Sequence, residues 1–306
     1  MTNFADRLVE AVRRKRSVVV VGLDPRLELL PAEIRLRHGA GGDARPAAAA
    51  RAILAFNKKV IDAVAPHAVA VKPQSAFYEI YGSAGVEAFE ATCAHAAERG
   101  LLVIADVKRG DVPDTAEAYA RAYLGAGTPV DAVTVNPLFG RDGTEPFLKA
   151  AAAGGRGLFL LVHTSNPSSK EIQDLSVRGQ PLYLVLAEMV RSWGGGGGLV
   201  GRCGYSSVGA VAGATFPEQA KEIRAVLSTS FLLVPGYGAQ GATAKDLGVY
   251  FNPDGLGAVV NASRSVIFAY TRSPGRETFG EKRWVGAVET AARTMKEELQ
   301  AVIPSR

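Results

Sequence analysis

Asp106-Val107-Lys108-Arg109-Gly110-Asp111 gathers acids and bases directly after the apolar run Leu101-Leu102-Val103-Ile104-Ala105. That run reads as a buried strand. Side chains alternate faces along a strand, so Asp106 and Lys108 point the same way. Asp111 falls out of that phase, where the strand yields to a loop. Charges are costly to bury unless paired, so the motif belongs at a strand end or in a site. An ammonium held beside a carboxylate can deliver a proton while the carboxylate orients it. By itself the hexapeptide fits an exposed ion pair equally well, and such pairs contribute little.

Further polar residues end other apolar runs. Asp24 follows Gly22-Leu23 and Lys72 follows Val71, each directly before a proline. If they converge with Asp106 and Lys108, the mixed charges keep the lysines protonated and the aspartates ionised. An ion-pair network that merely stabilises the site is the alternative, but stability would not need four such residues on adjacent strands. Later in the chain stand Gly236-Tyr237-Gly238-Ala239-Gln240-Gly241 and Asn261-Ala262-Ser263-Arg264. Glycines let a backbone approach an anion closely, and an arginine binds phosphate with two parallel hydrogen bonds. His38, His67, His95 and His163 show no metal-ligand spacing, so no metal site is expected. His163 ends an apolar run, where a structural role is expected of it. The chain contains no GxSxG, and no GxGxxG follows its first apolar run.

Eight short apolar runs recur: at Val18–Val21, Ala68–Val71, Leu101–Ala105, Ala132–Val135, Leu158–Val162, Val208–Ala212, Phe231–Val234 and Ala258–Val260. Segments with helical spacing lie between them, at Ala47–Val64, Gly85–Arg99, Thr115–Leu124, Pro181–Trp193 and Pro217–Leu227. Two more, Asp6–Arg14 and Lys282–Val302, flank the set. Continuous apolar strands are covered on both faces, as in parallel sheets. Eight such strands alternating with helices predict a single α/β domain over residues 1–306, a (β/α)8 TIM barrel with extra terminal helices. The barrel core would span about 17–272 and the C-terminal helix about 281–302. A doubly wound open sheet would also place ligands at strand C-termini, but the count of eight favours closure. In such barrels the C-terminal strand ends carry the active site, and the seventh and eighth turns often hold phosphate.

The net charge of +5 and a pI near 9.2 suit an anionic ligand, while the diffuse excess does not argue for nucleic acid. Arg13-Arg14-Lys15-Arg16 is the one dense basic run and reads as a solvated helix end. Cys93 and Cys203 form no CxxC, which fits reduced thiols and a cytoplasmic location. No signal peptide or membrane-spanning stretch is expected. The run Gly194 to Gly198 lacks the Lys-Ser/Thr of a phosphate loop and is expected to be a flexible connection.

Together these motifs resemble the orotidine 5′-phosphate decarboxylases, in their longer bacterial subgroup. The resemblance runs from about Val18 to Tyr270. It rests on Gly22-Leu23-Asp24-Pro25, Phe56-Asn57-Lys58, Val71 to Glu79, Asp106 to Thr115, Thr134-Val135-Asn136-Pro137, Thr164-Ser165-Asn166-Pro167, Gly236 to Gly241 and Arg264. It implies decarboxylation of orotidine 5′-phosphate to uridine 5′-phosphate in de novo pyrimidine biosynthesis, without a cofactor. Lys108 would protonate C6, with Asp106 beside the substrate carboxylate. Lys72 would complete the network and contact the ribose, and Asp24 would bind a ribose hydroxyl. Ser165 would contact the pyrimidine, and Gln240 and Arg264 the phosphate. Asp111 and Thr115 would reach the neighbouring subunit's site in a homodimer. Val112 stands where isoleucine is common, and the glycine run is not a family feature. A magnesium-dependent sugar-phosphate enzyme with Glu79 as metal ligand is a same-fold alternative. A non-catalytic nucleotide-binding regulator is another.

Overall fold

Apolar runs capped by prolines and polar residues build a closed ring of parallel strands. The computed structural model describes residues 2–42, 44–238 and 241–304. The strands are β1 (Val19–Leu23), β2 (Ala70–Pro73), β3 (Leu102–Arg109), β4 (Ala132–Val135), β5 (Gly157–His163), β6 (Ser206–Ala212), β7 (Ser230–Pro235) and β8 (Ala258–Ala262). They pair in chain order, and β1 closes on β8 through Val19 opposite Val260. All eight runs expected from the sequence are strands of this barrel. Their side chains are almost wholly buried, because the barrel interior takes one face and the helical layer the other.

The outer helices include Pro46–Val64, Gly82–Glu98, Pro113–Leu124, Leu182–Gly194 and Pro217–Val226, close to the expected segments. Both terminal helices are present. Phe4–Lys15 begins at Asn3, whose side chain accepts the Ala5 N–H at 2.8 Å. Its Phe4 ring meets Phe159 edge-on at 6.0 Å, in the space that the bare Gly157 leaves. Trp284–Gln300 packs on Pro46–Val64, with the Trp284 ring stacked 5.1 Å from Phe56.

Besides short helices such as Ala32–Arg37 and Lys170–Gln173, the sequence pattern leaves one long helix unassigned, Gly140–Gly154 between β4 and β5. Gly140, Gly143 and Pro146 disfavour it locally. Gly143 is needed where the helix meets the loop after β3: a Cβ there would lie 2.5 Å from the Asp111 carbonyl. A two-residue antiparallel ribbon, Ser176–Val177 with Gln180–Pro181, also escapes the pattern. Its turn residues Arg178 and Gly179 both have positive φ.

The five-glycine run is a tight connection. Gly194 ends a helix against β6, where a Cβ would lie 2.7 Å from Ser206 Oγ. Gly197 and Gly198 then turn the chain with φ of 61° and 80°. It lies away from the charged strand ends.

Candidate active site

Proline after a polar strand end keeps that residue extended, and two of the site loops begin this way. Asn136 and Asn166 precede Pro137 and Pro167 with φ, ψ of −87°, 114° and −76°, 145°. Register does the rest: Gly22 of β1 lies opposite Lys72 of β2, and Gln74 bridges to Asp106 at the next interface.

Lys72, Asp106 and Lys108 converge at the C-terminal end of the barrel. Lys72 Nζ lies 2.5 Å from Asp106 Oδ2, and Lys108 Nζ lies 2.6 Å from Asp106 Oδ1. Lys72 and Asp106 are buried at 5 % and 6 % exposure, whereas the Lys108 side chain is 43 % exposed to the cavity mouth. Burial alone would raise the Asp106 pKa, but the Lys72 and Lys108 ammoniums hold it well below the usual carboxylate range. Burial pulls Lys72 down, yet the carboxylates of Asp106 and Asp24 more than offset this and raise its pKa. The pair is therefore fixed in its charged form.

Strand β3 is not regular here. Ala105 pairs with Val133 and Arg109 with Val135, so Asp106, Val107 and Lys108 together stand opposite Thr134 alone. Lys108 has φ of 45°, a left-handed conformation uncommon outside glycine. Simple alternation thus finds the right partners by the wrong route: a bulge, not an ideal strand, turns Lys108 towards Asp106.

These residues line a cavity of about 340 Å³ together with Thr134, Leu161, Thr164, Ser165, Val211 and Leu233. Ser165 sits close over Gly213, where a Cβ would lie 2.7 Å from Ser165 Cα. A second cavity, about 140 Å³, shares Lys72 and is lined by Asp24, Gly236, Tyr237, Asn261, Ser263 and Arg264. Asp24 Oδ1 and Asn261 Oδ1 are buried there without a hydrogen-bond partner among the described residues. A mixed apolar and charged chamber therefore adjoins a smaller polar one with a cation at its rim. That arrangement suits a flat, polar ring joined to an anionic tail.

The other expected residues divide. Asp111 accepts the Val112 N–H at 2.8 Å and Thr115 is exposed; neither lines either cavity. Gln240 lies outside the described residues. Glu79 is ion-paired to Arg109 at 2.5 Å. No cluster of potential metal ligands occurs among the described residues. His163 is structural, as expected: Nε2 lies 2.9 Å from Asp174 Oδ1 and the ring packs against Tyr183 and Phe216. Thr134 carried no expected role, although a lone hydroxyl in the apolar run Ala132–Val135 was a legible signal. A larger groove, about 870 Å³, lies between Gly82–Glu98 and Pro113–Leu124 and holds none of the charged strand ends.

Residues 17–275 match the model of the orotidine 5′-phosphate decarboxylase / HUMPS family. The chain is 43 % identical to an orotidine 5′-phosphate decarboxylase of Rhodopirellula baltica, over 98 % of this chain and all of that one. It is 39 % identical to one from Caldicellulosiruptor saccharolyticus, over 99 % and 100 % of the two chains. The solved structure of the Leishmania donovani OMP decarboxylase superposes with a TM-score of 0.77 at 29 % identity, covering 99 % of this chain and 100 % of that one. The barrel, its charged strand ends and these relatives agree: the chain belongs to the orotidine 5′-phosphate decarboxylase / HUMPS family.

Proposed function

We propose that the protein decarboxylates orotidine 5′-phosphate to uridine 5′-phosphate, the pyrimidine-forming step for which its curated relatives are named. The observation that carries this reading is the Lys72–Asp106–Lys108 network facing a chamber beside Arg264. The substrate carboxylate at C6 leaves as carbon dioxide and its bonding electrons stay on C6. Lys108 stabilises that charge and donates its proton there, so no metal or cofactor is required. Asp106 orients Lys108 and lies beside the departing carboxylate. Lys72 holds Asp106 and contacts the ribose, and Asp24 takes a ribose hydroxyl. Ser165 meets the pyrimidine, while Gln240 and Arg264 hold the phosphate. Phosphate contacts far from C6 lower the barrier by favouring the arrangement complementary to the transition state.

The chain acts as one domain, in a cytoplasmic homodimer with shared sites. Asp111 and Thr115 stand outside their own cavities and serve the partner's. Exposed Ile80, Val112, Leu138 and Phe139 follow β2, β3 and β4 and supply apolar area for such an interface. No helix among the described residues is long and apolar enough to cross a membrane.

The test is ultraviolet absorbance of orotidine 5′-phosphate mixed with purified protein, with and without chelator. Equal turnover in both arms is expected. Loss on chelation would favour a magnesium-dependent enzyme instead, a reading that the Glu79–Arg109 pair already disfavours. Binding of uridine 5′-phosphate with no turnover of its carboxylated precursor would favour a regulator.

A further inference from the structure

One hydroxyl sits at the centre of the bulge that presents the proton donor. Thr134, 1 % exposed on β4, accepts the Val107 N–H at 3.0 Å and the Lys108 N–H at 2.9 Å. It also lies 3.0 Å from Asp106 Oδ1, to which it donates its own proton. A threonine hydroxyl has one proton and two lone pairs, so all three are engaged. The two amides are those that the bulge frees from regular pairing with β4. The carboxylate oxygen is the same one that Lys108 Nζ grips at 2.6 Å. Thr134 thus ties the backbone of Lys108 to the partner of its side chain.

We propose that Thr134 is a positioning residue for proton transfer: its hydroxyl fixes the bulged backbone that carries Lys108 and, at the same time, the orientation of Asp106. This rests on the assignment of Lys108 as proton donor and deepens it. A left-handed lysine persists only where its surroundings over-determine it, and here the over-determining group is a side chain from the next strand. Valine has the shape of threonine but none of its hydrogen bonds. Serine keeps the bonds and loses a methyl. A fixed position matters because a displacement of about 1 Å can reduce a rate on the order of 100-fold.

The experiment compares Thr134→Val, Thr134→Ser and Lys108→Ala for kcat with orotidine 5′-phosphate and for affinity towards uridine 5′-phosphate. Thr134→Val is expected to lose kcat on the order of 100-fold while binding the product much as the parent does, since the phosphate and ribose contacts are untouched. Thr134→Ser is expected to stay close to the parent. If the valine chain does not fold, Thr134→Ala carries the same expectation. Parent-like kcat without the hydroxyl, beside an inactive Lys108→Ala, overturns the inference and leaves the proton donor standing. Equal loss in the serine and valine chains, or product binding lost in step with kcat, also overturns it, because a packing role would do that. An active Lys108→Ala overturns the assignment on which it rests.

Discussion

Asp106 and Lys108 face each other at 2.6 Å although the backbone between them is not an ideal strand. The acid is buried and the base reaches the cavity, so the pair combines a fixed charge with a group that can meet substrate. Lys108→Ala should abolish turnover yet still bind uridine 5′-phosphate, because the groups around Asp24 and Arg264 remain. Steady-state kinetics beside product titration checks this. Near-normal turnover would remove Lys108 from the role.

Arg264 lines the smaller cavity with Gly236 and Asn261. Arg264→Ala should weaken transition-state binding of the nucleotide by about 1.5–3 kcal/mol, the range for a hydrogen bond to a charged group. The same substitution should hardly affect the nucleoside that lacks the phosphate. Comparing kcat/KM for both substrates decides it, since an equal loss would rule out a phosphate contact.

The charge network has a defined pH window. Asp106 is depressed in the fold, so its contribution to stability is full above the unfolded carboxylate value of about 3.9 and declines as pH falls towards the folded value. Lys72 is raised, so its contribution is full below about 10.4 and is lost as pH rises through its folded value. Asp106→Asn should therefore destabilise the protein by a near-constant amount from about pH 5 to about pH 9, with the gap to the parent narrowing below about pH 4. Urea midpoints across that range test the sign. A gap that widens in acid would show the carboxylate to be unfavourable as a charge.

Gly213 lies against the backbone that carries Ser165, where a Cβ would meet Ser165 Cα at 2.7 Å and N at 2.8 Å. Gly213→Ala must push the loop after β5 away and should cost about 1–3 kcal/mol in stability. It should raise KM through the displaced Ser165. Unchanged KM and stability would mean that the loop yields freely.

Asp111 stands outside its own cavity, which frames a complementation test of a shared site. Lys108→Ala and Asp111→Ala should each be nearly inactive alone. In a mixed dimer one site collects both lesions and the other has neither. Unfolding and reassembling the two together should restore activity through the intact site. If heterodimers form and activity stays absent, Asp111 acts within its own chain.

The barrel was legible because doubly covered parallel strands require continuous apolar runs, and the chain carries eight of them, each ending in polar or turn residues. Asp24, Lys72, Asp106 and Lys108 stood out for the same reason: charge at the end of a core strand needs a partner. Helix Gly140–Gly154 was hidden, since Gly140, Gly143 and Pro146 oppose local helix formation, and its support is tertiary: Phe147, Leu148 and Ala151 are buried, and the helix packs chiefly on Pro113–Leu124. Thr134 was legible as a lone hydroxyl in an apolar run, but not as a positioning group. Its importance comes from the shift in register between β3 and β4, which no spacing within either strand encodes. Sequence by itself determined which residue types occupy each strand end, because burial and alternation act locally. Tertiary structure decided which of them touch, through the bulge at Lys108 and the closure of β1 on β8, because hydrogen-bond register is a relation between distant segments.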